Sequence, residues 1–95
     1  MKVKVLYYAT FRQMTGCKAE DIEFNEAPKV KDLIYLLFQK YGGDFRKALV
    51  NSEGEVKDFI KILVNGRNID FLEGLDTLLD DGDRVYFFPP VAGGV

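Results

Sequence analysis

Histidine and tryptophan are both missing from this 95-residue sequence. Without imidazole there is no His-based triad, no His metal site and no histidine acid–base step. One cysteine, Cys17, excludes an intramolecular disulfide and a cysteine zinc site. Basic residues are not in excess: 13 Lys and Arg face 15 Asp and Glu, a net charge of −2. That balance argues against a nucleic-acid partner. No apolar run approaches the roughly 20 residues that cross a bilayer, so no membrane association is expected. The N-terminus alternates lysine with apolar residues and has no signal-peptide core. The expected compartment is the cytoplasm, with Cys17 reduced as an ordinary loop cysteine. Neither G-x-x-x-x-G-K-[ST] nor G-x-G-x-x-G occurs, so nucleotide chemistry must come from another protein.

Hydrophobic residues make up 47% of the chain and charged ones 29%, enough apolar content to fold. The length suits a single domain over residues 1–90, with residues 91–95 as a flexible tail. Val3, Val5 and Tyr7 alternate with Lys4 and Leu6, which predicts a strand. Residues 10–18 read as a turn, and Ala19 to Phe24 as a second strand pairing back on the first. The period then changes. Val30, Leu33, Ile34, Leu37, Phe38 and Tyr41 form the apolar stripe of an amphipathic helix stopped at Gly42-Gly43. Its start lacks a capping side chain, since Ala27 and Lys29 are poor caps. Phe45 to Val50 has room for a short helix. Phe59 to Val64 predicts a strand, followed by an Asn65-Gly66 type I′ turn and a short return over 67–69. Residues 71–79 offer at most a helical turn. Asp80, Asp81 and Asp83 form a turn with Gly82, because their spacing is not that of a calcium loop. Residues 84–88 are the last strand.

One long helix between two groups of strands predicts an α+β fold: a mixed sheet of four to five strands packed on one main helix, the arrangement of the β-grasp. The inward set would be Val3, Val5, Tyr7, Ile60, Ile62, Val64, Val85 and Phe87. The outward set, Leu6, Tyr8, Leu63, Tyr86 and Phe88, would form an apolar patch near the tail and a partner surface. Lys2, Lys4, Arg12, Lys61 and Arg84 would rim it and steer an acidic partner.

Pro89-Pro90 ends the sheet, because proline has no N–H to donate. Val91 to Val95 is uncharged and reaches about 16–18 Å when extended. Diglycine Gly93-Gly94 is thin enough to enter a channel closed to side chains. Its reactive group would be the main-chain carboxyl, which needs activation before it can donate an acyl group.

These residues carry a family resemblance over nearly the whole chain. Val3-Lys4-Val5-Leu6-Tyr7-Tyr8-Ala9 with Arg12 and Gly16, and the run from Asp81-Gly82-Asp83 through Phe88-Pro89-Pro90-Val91 to Gly93-Gly94, resemble the MoaD/ThiS group of ubiquitin-like sulfur carriers. The nearest branch is MoaD, the molybdopterin synthase small subunits. Residues 42–57 follow the family only loosely. The resemblance implies that an E1-like (MoeB-like) enzyme, using ATP and magnesium, adenylates Gly94, and that sulfur then replaces AMP to give a thiocarboxylate. The chain itself would bind no cofactor and no metal. It implies insertion of the tail into a MoaE-like large subunit, where sulfur passes to a pterin precursor, with Gly93 admitting the tail. Implied docking residues are Tyr8, Arg12, Leu63, Tyr86 and Phe88, with Pro89, Pro90 and Val91 leading to the tail. Val95 departs from the family pattern: either a peptidase removes it, or the chain is no donor as written. Activation at Val95 itself ranks last, because a β-branched side chain crowds a glycine channel. A ubiquitin-like modifier, joined to lysines through the same diglycine, is the alternative. A β-grasp binding module without acyl chemistry is a third reading.

Overall fold

The computed structural model describes residues 1–90; residues 91–95, the expected tail with Val91, Gly93 and Gly94, lie outside the described residues. Five strands form one sheet: β1 (Lys2–Tyr7), β2 (Ala19–Glu23), β3 (Lys61–Val64), β4 (Arg67–Asn68) and β5 (Arg84–Phe88). Their spatial order is β2-β1-β5-β3-β4. The two central strands, β1 and β5, run parallel with Val5 opposite Val85 and Leu6 opposite Tyr86. The remaining pairings are antiparallel. This is the expected mixed sheet of the β-grasp, with five strands.

The main helix, α2, spans Val30–Tyr41, as its apolar period requires. Val30, Leu33, Ile34 and Leu37 are buried, while Phe38 and Tyr41 are half-buried at the rim of the stripe. The start of α2 is better closed than its flanking residues imply. The Asp32 carboxylate accepts the Lys29 backbone N–H at 2.8 Å, so an acid inside the first turn does the work of a cap. The helix start is also tied to the segment before β5: Val30 N–H donates to the Thr77 carbonyl at 2.9 Å, and Leu79 N–H to that of Pro28 at 2.8 Å. A short helix, α3 (Gly43–Leu49), follows and buries Phe45 and Leu49.

The stretch read as a turn over residues 10–18 contains another helix, α1 (Thr10–Thr15). Burial of Phe11 holds it in place: the ring lies 5.4 Å from Phe45 and 6.2 Å from Phe87, centroid to centroid. Gly16 closes the helix in the left-handed region, φ 77°, where its N–H reaches the Arg12 carbonyl. The strand expected to start at Phe59 starts at Lys61, because Phe59 has φ 69° and leaves the β region. Ile60, placed in the inward set, is accordingly only half-buried, whereas Val3, Val5, Tyr7, Ile62, Val64, Val85 and Phe87 are buried. The Asn65-Gly66 turn has the two positive φ values of type I′, 53° and 88°. The return strand β4 stops at Asn68, and residues 69–79 hold two 3₁₀ turns, Ile69–Phe71 and Gly74–Asp76.

Candidate functional site

Alternation along β1 and β5 sends Tyr7 and Phe87 into the core and their neighbours to the opposite face. Because Leu6, Tyr86 and Leu63 are register partners on β1, β5 and β3, they stand in one row across the outer face. Phe88 comes next along β5, opposite Lys61. Tyr8 follows β1 and lays its ring on Phe88, with centroids 4.3 Å apart and planes 15° from parallel. Tyr86 stacks beside both, 6.4 Å from Tyr8 and 6.3 Å from Phe88. All five side chains are half-buried, so their upper faces remain accessible. The structure thus brings Leu6, Tyr8, Leu63, Tyr86 and Phe88 together as one aromatic platform.

Arg12 joins this platform by way of α1. Its Nε donates to the Tyr7 carbonyl at 3.1 Å, and its guanidinium lies 5.5 Å from the Tyr8 ring centroid. The cation is therefore held over the aromatic stack rather than waving in solvent. Lys61 borders Phe88, and Lys2, Lys4 and Arg84 lie farther down the same face, with Lys4 opposite Arg84. Asp21 and Glu23 on β2 face Lys4 and Lys2 across the strand pair, so the positive edge is partly neutralised there. Beyond Phe88 the chain continues through half-buried Pro89 and exposed Pro90. The platform sits where β5 gives way to Pro89-Pro90. The sequence-predicted Val91, Gly93 and Gly94 lie outside the described residues.

On the opposite face of the sheet lies a polar cluster that the sequence reading missed. The Tyr7 hydroxyl, buried against Phe87 and Tyr41, donates to Glu20 Oε2 at 2.6 Å. Tyr41 donates to the same oxygen, and Lys40 to Oε1. Burial pushes the Glu20 carboxyl up, but the donors from Lys40, Tyr41 and Tyr7 outweigh it and hold the group below the ordinary carboxylate value. Burial and the neighbouring Glu20 carboxylate push both tyrosines up. The cluster ties the end of α2 to the β1–β2 pair. Its groups satisfy one another, which accounts for the cluster as a structural tie. No group of metal-ligating side chains occurs among the described residues. No helix among them is long and apolar enough to cross a membrane.

The ThiS family matches residues 5–94. Small archaeal modifier protein 3 of Haloferax volcanii is 38% identical over 94 residues, covering 99% of this chain and 100% of that protein. The molybdopterin synthase sulfur carrier subunit of Mycobacterium tuberculosis is 32% identical over 95 residues, with 99% of each chain covered. A chain of the Amycolatopsis orientalis BexX/CysO complex superposes with a TM-score of 0.76 at 30% identity, covering 97% of this chain and 99% of that one.

Proposed function

This chain belongs to the ThiS family of ubiquitin-like sulfur carriers, and from that premise we propose that it carries sulfur as a thiocarboxylate on Gly94. As the small subunit of a molybdopterin synthase, it then donates that sulfur to a pterin precursor bound by a MoaE-like large subunit. The supporting observation is the Tyr8–Tyr86–Phe88 platform, capped by Arg12, at the root of the Pro89-Pro90 lead into the diglycine. Stacked aromatics with one cation give a partner a large, rigid contact area next to the segment it must hold.

In this scheme the chain contributes an acyl group and a docking face, and its partners contribute the rest. An E1-like enzyme of the MoeB kind binds ATP and magnesium. A Gly94 carboxylate oxygen attacks the α-phosphorus, pyrophosphate leaves, and the acyl-adenylate forms. A sulfide-level donor then attacks the acyl carbon and AMP departs. The Gly94 carboxyl must be free for the first step, so a peptidase removes Val95 beforehand. Gly93 has no Cβ and passes the constriction that leads to the reacting atoms. In this scheme the loading takes place in the cytoplasm.

The relative named a small archaeal modifier protein, 38% identical to this chain, favours a second reading. There the same adenylate is passed to lysine amines of other proteins instead of to sulfur.

Intact-mass measurement tests the carrier reading. A chain ending at Gly94, incubated with an E1-like enzyme, ATP, magnesium and a sulfur donor, gains the mass difference between sulfur and oxygen. An unchanged mass overturns it. Purification from cells separates the two fates: a stable complex with a MoaE-like chain marks the synthase, and Gly-Gly remnants on lysines mark the modifier. A native protein that retains Val95 and forms no adenylate is a binding module instead.

A further inference from the structure

A cavity lies on the helix-side face of the sheet, at the β3–β4 edge. It is open, about 470 Å³ in volume, between the loop of residues 54–60 and the two 3₁₀ turns. Its floor is apolar, built from Val56, Ile60, Ile62, Ile69 and Leu75. Its lining carries three carboxylates, Glu55, Asp58 and Asp70, against the single ammonium of Lys57. None of the ion pairs among the described residues uses any of these four groups.

Two aromatic rings stand out of the surface here. Phe59 lines the cavity and is 81% exposed; Phe71 adjoins Asp70 and is 84% exposed. Each phenylalanine directly follows an aspartate. Phe59 has φ 69°, a left-handed conformation that a bulky residue adopts only under strain. The same loop ends the expected strand early and leaves the ring in water. Burial in this chain does not offset that strain.

We propose that this cavity receives an arginine side chain of a partner protein, flanked by apolar residues that cover the floor. A guanidinium is planar, weakly hydrated and able to stack on a ring while donating to carboxylates. Asp58 and Asp70 supply the acceptors, Phe59 supplies the ring, and the excess of negative charge selects a cation. An ammonium on a lysine stem fits less well, because its compact hydration shell resists the apolar floor. The cavity opens on the opposite face from the Tyr8–Phe88 platform, since Ile62 points inward where Leu63 points outward. Both faces can be occupied together. One partner then holds the protein by its β3–β4 edge while another works on the tail. The inference stands on the cavity alone and does not depend on the tail chemistry.

Titration of the full chain with acetyl-Leu-Arg-Leu-amide, followed by amide chemical shifts, tests it. Shifts are expected over residues 54–62 and 68–75, with none there for acetyl-Leu-Glu-Leu-amide. The double variant Asp58→Asn/Asp70→Asn, folded by the dispersion of its spectrum, binds the arginine peptide about fivefold or more weakly. Phe59→Gly also weakens binding while holding or raising Tm, because glycine accepts the left-handed backbone. Equal response to both peptides, shifts confined to the Tyr8–Phe88 face, or unchanged affinity in the double variant overturns the proposal. So does a fall in Tm for Phe59→Gly, which would make the ring structural.

Discussion

The Tyr7 hydroxyl reaches Glu20 at 2.6 Å across the β1–β2 pair, and the same carboxylate accepts from two residues at the end of α2. One ionised group therefore holds three elements together. In the unfolded chain Glu20 takes up its proton near the ordinary value of 4.5; in the native fold it does so at lower pH. The stability contributed by Glu20 is complete above 4.5 and is lost as pH falls through the native value. Urea denaturation of the wild type at neutral pH and at about pH 3.5 should show an acid loss that Glu20→Gln largely removes. At the other extreme, Tyr7 and Tyr41 hold their protons above the ordinary value of 10.0. The unfolded chain ionises first, so stability falls as pH rises beyond 10.0.

Phe11 sets the place of α1, and through α1 that of Arg12. Phe11→Ala removes a fully buried ring packed on Phe45 and Phe87. Such truncations cost about 3–5 kcal/mol. A small domain has about 5–15 kcal/mol in all, so the variant should sit close to unfolding at 25 °C. Equilibrium urea unfolding with wild type alongside reads the difference directly.

Under the proposed function Tyr8 and Phe88 are docking residues, and their exposure separates binding from folding. Tyr8→Ala and Phe88→Ala should each weaken the complex with the MoaE-like large subunit by about 2 kcal/mol, roughly thirtyfold. Each should leave the cooperative unfolding transition in place, because neither ring belongs to the buried cluster. Calorimetric titration gives the first quantity and a thermal melt the second. Loss of binding accompanied by loss of the transition would assign these rings to the core instead.

Elements with a sustained period were readable in the sequence. Val3, Val5 and Tyr7 declare β1 because one face of the strand is buried, and the stripe from Val30 to Tyr41 declares α2 for the same reason. Outward alternation then places Tyr86 and Phe88 beside Tyr8 once β1 and β5 are neighbours. The helix α1 escapes such reasoning because its six residues bury one side chain, and one apolar residue defines no period. The position of Arg12 over the Tyr8 ring follows from α1 and was hidden with it. Glu20 was invisible for another reason. An acid in a short strand looks like surface, and its donors lie 13, 20 and 21 positions away. The strand start moved from Phe59 to Lys61 because composition carries no sign of a left-handed φ.

The parallel pairing of β1 with β5 has a practical corollary. Lys2 lies beside the Asp81–Gly82 corner, so the beginning of the polypeptide and the exit of β5 occupy opposite poles of the molecule. A purification handle or dye joined ahead of Met1 hangs from the far pole. The exit of β5, where the proposed partners would bind, stays clear of the label.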